Sequence, residues 1–71
     1  MIATAMFEVT LAGETEATEF YKHTWQTENI NTAIAELATW QVGEKLKIEA
    51  KEGWKMKLFD WTVVERPDIG Y

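Results

Sequence analysis

The chain has 71 residues, a net charge of −5, 46% hydrophobic and 13% aromatic residues, no cysteine and one histidine. That makes one small domain with enough apolar residues to collapse, which excludes a disordered chain and leaves no room for a second domain. Disulfides, thiolate metal centres and a histidine-built zinc site are excluded as well, so association with a second copy is the remaining way to reinforce so small a core, and a homodimer is one expectation.

The charge is uneven. Residues 1–44 carry −6 and residues 45–71 carry +1. An acidic chain is repelled by nucleic-acid phosphates at long range. No stretch approaches the ~20 apolar residues of a membrane span, and the first ten residues lack a basic segment followed by a long apolar run. With no cysteine, this fits a cytoplasmic protein.

In chain order, "MFEVTLAG" alternates Phe7, Val9 and Leu11 against Glu8 and Thr10, the period of a half-buried strand. "GETEAT" is a polar turn. "TEFYKHTWQ" is a second strand, rich in aromatic and β-branched residues. Lys22 and its polar neighbours place Phe20 on the outer face of that strand and Tyr21, His23 and Trp25 on the inner one.

"TENINTAIAELATWQVG" changes period. Ile30, Ala33, Ile34, Leu37, Ala38 and Gln41 follow a helical stripe, with Trp40 flanking it. Thr27 or Asn29 can cap its start, and Gly43 stands where a helix stop is expected. From Glu44 the pattern returns to alternation, with Leu46, Ile48 and Ala50 on one side and Lys45, Lys47, Glu49 and Lys51 on the other. "KEGW" then supplies a hairpin turn with Gly53 free to take positive φ.

A fourth strand runs from Trp54 to about Glu65, ended by Arg66-Pro67. Its phase conflicts with itself: Trp54, Met56 and Leu58 point inward, but the same phase buries Asp60 and expels Phe59, Trp61 and Val63. A buried unpaired carboxylate is costly. A β-bulge near Leu58–Asp60 would return Trp61 and Val63 to the core; without it, Phe20, Phe59, Trp61 and Val63 form an outward apolar patch of the kind that marks interfaces. The expected fold is therefore α+β: a β-β-α-β-β order in which two hairpins form an antiparallel sheet with one helix packed on one face. Residues 1–66 form the single domain, and residues 67–71 a flexible C-terminal tail.

Little in the chain points to catalysis or to a cofactor. There is no serine or cysteine, and no orienting partner is spaced for His23. Glu14, Glu16 and Glu19 cluster at a turn without the rhythm of a calcium loop, and the four glycines are isolated rather than part of a phosphate loop. Four tryptophans are many for this length, and at least one is expected to be exposed enough to anchor a partner.

Two functional readings follow. One is a non-enzymatic protein that binds and modulates another protein through an acidic and aromatic surface, with Glu14, Glu16, Glu19, Phe20, Phe59 and Trp61 as candidate contacts. The other is a nucleic-acid-binding module, in which Lys45, Lys47, Lys51, Lys55 and Lys57 line a hairpin face beside Trp54 as a stacking platform. The lysine row is more simply the solvated face of a sheet, partly neutralised by Glu8 and Glu49 and guarding against edge pairing.

The order of elements and the segments "FEVT", "EFYKH" and "EKLKIE", within residues 7–50, resemble the small acidic phage-encoded inhibitors of uracil-DNA glycosylase, β-β-α-β proteins that mimic DNA. The resemblance does not extend to residues 51–71 and assigns no individual residue. It implies a phage or prophage accessory protein that acts by binding in the host cytoplasm.

Overall fold

The computed structural model describes residues 1–65. Its elements are β1 (Ile2–Thr10), β2 (Glu19–Gln26), α1 (Ile30–Trp40), a π-helical segment (Gln41–Lys45), α2 (Leu46–Glu52) and β3 (Lys55–Val64). The sheet is antiparallel with order β2-β1-β3, so the first strand is central and pairs with both others. β1 and β2 form a hairpin; the helical stretch then carries the chain over one face of the sheet to the far edge, as strands of like direction require.

The α+β class and the antiparallel sheet with a helix on one face are as the sequence predicts. One element differs: Leu46–Glu52 is helix, where alternation suggests a third strand, and β3 is the last of three strands rather than the fourth. The helix does not stop at Gly43, which lies inside the π segment. It stops at Gly53, whose φ of 78° is the left-handed conformation that closes a helix. The expected positive φ at Gly53 is thus present, but as a helix cap and not as a hairpin turn. The proposed tail, residues 67–71, lies outside the described residues.

The start of α1 is built as its composition suggests. Asn29 is the N-cap, its side chain accepting from the Thr32 N–H at 2.8 Å. Thr27, the alternative cap, is buried and donates its hydroxyl to the Asn29 carbonyl at 3.3 Å.

β1 alternates without interruption, and Ala3, Ala5, Phe7 and Val9 are fully buried beneath the helix. Leu37 from α1 and Met56 from β3 complete the centre; Tyr21, Trp25, Trp40, Ile48, Trp54, Leu58 and Trp61 pack around it half-buried. The alanines at positions 3 and 5 leave room for these large rings. In the β1–β3 register Phe7 faces Leu58 and Met6 faces Asp60, which leaves Phe59 as the extra residue of a bulge. The bulge turns Asp60 to solvent and returns Trp61 and Val63 to the inner phase, resolving the conflict in the strand's pattern.

The free edge of β3 is covered at one point. Glu49 Oε2 accepts the Met56 N–H at 2.7 Å, and Lys45 Nζ donates to the Met56 carbonyl at 3.2 Å and to Glu49 Oε2 at 3.2 Å. Two side chains one helical turn apart therefore occupy both backbone groups that a further strand would use.

Candidate partner-binding surface

The helix covers one face of the sheet and leaves the other bare. On the bare face, Phe20 of β2 stands opposite Glu8, and Phe59 projects from the bulge of β3. Strands two places apart in a sheet are separated by about 9.6 Å. The two rings nevertheless have centroids 5.6 Å apart at 54°, so they lean toward each other across β1. They remain 67% and 47% exposed. Two large aromatic side chains held together on a sheet face that, among the described residues, has no layer above it are a surface suited to burial against another molecule.

Charge surrounds this pair in both signs. Lys22 and Asp60 lie on either side of Met6, and Lys57 stands opposite Glu8. The β1–β2 loop presents Glu14 and Glu16, and Glu19 opens β2; all three are exposed. The loop is not slack. The Glu14 N–H donates to the Leu11 carbonyl at 3.0 Å, the Thr18 N–H to the Val9 carbonyl at 3.2 Å, and the Thr18 hydroxyl to Glu14 Oε1 at 3.2 Å.

Of the six candidate contacts, the structure brings Phe20 and Phe59 together on this face and places Glu14 and Glu16 in the loop at its end, whereas Glu19, opposite the buried Val9, has the phase of the helix-covered face and its place among the contacts is corrected. Trp61 does not join them. The bulge puts it on the inner face, packed against the core, so its place on the outer surface is corrected. The other acids of the N-terminal half are dispersed, Glu28 before α1 and Glu36 and Glu44 along the helical stretch. The four tryptophans are each half-buried, and among the described residues the exposed aromatics are Phe20 and Phe59. The signal for that was present in the phase of Phe20 and in the two-residue outward step at Phe59–Asp60.

The lysine row is also rearranged. Lys45, Lys47 and Lys51 belong to the helical stretch, while Lys55 and Lys57 belong to β3, so no hairpin face carries them. Lys45 is bound to Glu49, and Lys47 lies 3.5 Å from Glu44. Trp54 packs against the core and is not an open stacking platform.

His23 is a packed histidine. Its ring stacks on Trp40 at 4.2 Å and on Trp25 at 4.8 Å, nearly parallel to both. Burial between the indoles holds its pKa below the usual 6.5. Trp25 in turn donates its indole N–H to Glu36 Oε1 at 2.9 Å, tying β2 to α1. A polar cleft lies beside this tie, lined by Gln26, Thr27, Glu28, Thr32 and Glu36. Among the described residues no three metal-ligating side chains converge, and no helix is long and apolar enough to cross a membrane.

No family model, no curated protein and no solved structure matches this chain.

Proposed function

We propose that this chain is a small interaction protein that associates with itself and uses the bare face of its sheet to bind and modulate another protein. The observation that carries the reading is the Phe20–Phe59 pair, held in contact across β1 on a face that none of the described elements covers. Aromatic anchors of this kind dominate binding energy when a partner desolvates them. The loop acids Glu14 and Glu16 at the end of this face give the surface an acidic flank, which steers it toward a partner with basic residues beside an apolar site.

A phage accessory protein acting on a host DNA-binding enzyme in the host cytoplasm has these needs, and the sequence resemblance makes uracil-DNA glycosylase the first partner to assay. Stoichiometric inhibition of a bacterial uracil-DNA glycosylase is expected, weakened at least tenfold by F20A/F59A and weakened further in high salt. Full activity of the glycosylase in excess inhibitor removes that partner. The surface itself is tested by a photo-reactive phenylalanine analogue at position 59 in lysate of the native host. Products there that the wild-type chain competes away and F20A/F59A does not are the expected result; equal competition by both chains refutes the surface.

A further inference from the structure

The helical stretch has a second apolar face that the sheet does not use. Ala33, Leu37 and Ile48 turn inward, whereas Ile30, Ile34, Ala38, Val42 and Leu46 point to solvent. The four large members of that outward row are each half or more exposed. On a surface helix the solvent side is normally polar, so a row of aliphatic residues there is a face without its partner.

The spacing of the row is its informative feature. The residues fall every fourth position, and a large aliphatic side chain stands at each position equidistant from Ala38. Two copies laid antiparallel across a two-fold axis at Ala38 set Ile30 against Leu46 and Ile34 against Val42, with Ala38 meeting Ala38. A two-fold interface must be self-complementary in this way, each residue meeting the residue that meets it.

Three further observations agree with a second copy. Rows of every fourth residue form the ridges by which helices most commonly interdigitate, and a small residue at the crossing lets the axes approach to about 8 Å. The π segment, Gln41–Lys45, supplies the second. A strictly α-helical path would carry each fourth residue ~40° further round the axis. The wider π turn reverses that drift between Val42 and Leu46 and keeps Leu46 in the row. Charge supplies the third, because antiparallel pairing brings the exposed Lys47 of one copy beside Asn29 and the acidic Glu28 of the other.

We infer that the Ile30–Ile34–Ala38–Val42–Leu46 face is the homodimer interface of this protein, an antiparallel helix pair crossing at Ala38. The inference rests on the self-association proposed above and names the surface for it, and it leaves the Phe20–Phe59 face of both copies free and pointing outward. Specific interfaces bury about 1,200 Å² or more in total.

Because the chain has no cysteine, A38C introduces a single thiol at the proposed axis. Axes about 8–10 Å apart and Cα radii of about 2.3 Å put the two Cα atoms roughly 3.4–5.4 Å apart, and the wider half of that range meets the ~4.4–6.8 Å of disulfides. The expected results are a dimer for the wild type by sedimentation at tens of micromolar and rapid disulfide dimerisation of A38C under oxidised glutathione, with M6C on the bare sheet face remaining monomeric thiol. I34K and V42E should each be monomeric at the same concentration. Mixed together they should pair, since the substituted positions face each other across the axis, and recovery on mixing separates lost association from lost folding. A wild type that stays monomeric to several hundred micromolar overturns both this interface and the self-association reading. A wild-type dimer in which A38C fails to cross-link, or in which M6C cross-links instead, overturns this interface alone.

Discussion

Glu49→Ala should be the most damaging substitution available at a position that is neither apolar nor glycine. Glu49 and Lys45 side chains are 20% and 16% exposed, so the pair is largely shielded and is not an ordinary surface ion pair. Truncation removes the 2.7 Å hydrogen bond that the Met56 N–H donates to the carboxylate and a 3.2 Å contact with Lys45. A hydrogen bond to a charged group is worth about 1.5–3 kcal/mol, and the partly exposed ion pair adds ~1 kcal/mol at most. The expected loss is therefore ~2–4 kcal/mol. A domain of 71 residues has roughly 3.5–10 kcal/mol in all, so the midpoint of thermal unfolding should fall by about 8–32 °C at ~4–8 °C per kcal/mol. Glu49→Gln keeps an acceptor for Met56 and should lose about 1 kcal/mol.

The same carboxylate makes a pH prediction. The Met56 N–H foremost, then the Lys45 ammonium, hold its pKa below the usual 4.5. A carboxylate whose folded pKa is depressed contributes stability that is fully present above the unfolded value and disappears as pH falls through the folded one. Urea unfolding followed by tryptophan fluorescence should show the wild type weakening below about pH 4.5 with a component that Glu49→Gln lacks. A loss under ~0.5 kcal/mol for Glu49→Ala at pH 7, or parallel pH profiles for wild type and Glu49→Gln, would refute the argument.

Three further outcomes are expected. Gly53→Ala places a Cβ at φ 78°, 3.3 Å from the Ala12 Cβ, and should destabilise by about 1–2 kcal/mol; an unchanged midpoint in a thermal melt would contradict the cap. Phe7→Ala empties the centre of the core and should remove about 3–5 kcal/mol, enough to abolish near-ultraviolet dichroism at 37 °C, and a native spectrum there would mean that the neighbouring indoles close the cavity. Burial depresses the His23 pKa, so its contribution is present above the unfolded value and fades as pH falls from about 6.5 through the folded pKa. His23→Phe should flatten the stability profile between pH 7 and 5, and an equal slope in both proteins would count against the stacked, neutral ring.

The strands were legible because their signal is redundant. Phe7, Val9 and Leu11 alternate cleanly, Lys22 sets the phase of β2, and Asp60 marks the bulge, since no other arrangement spares a carboxylate from the core. Residues 46–52 were not legible from alternation, because Leu46, Ile48 and Ala50 satisfy a period of two while the same segment is rich in helix formers. The deciding signals were charge pairs: Glu44 with Lys47 and Lys45 with Glu49 stand at helical spacing. Gly43 misleads for a physical reason, since a glycine inside a helix is costly but not forbidden. The site was half legible. The phases of Phe20 and Phe59 foretell their exposure, but their contact across β1 depends on the strand order, which a chain read residue by residue does not contain.

That strand order also dictates when this protein can fold during its own synthesis. β1 is translated before both strands that flank it, and its second neighbour, β3, follows all the other described elements. Until residues 55–64 have left the ribosome, one edge of the most buried strand stays open and Phe7 and Val9 lack half of their cover. The nascent chain therefore holds an unfinished hairpin, which is marginal in water on its own, and closes the sheet only after the longest-range pairing in the molecule becomes available. Messages cut short before β3 should yield chains that cannot complete a core at all, and that a cell's quality control will meet as aggregation-prone or degraded product.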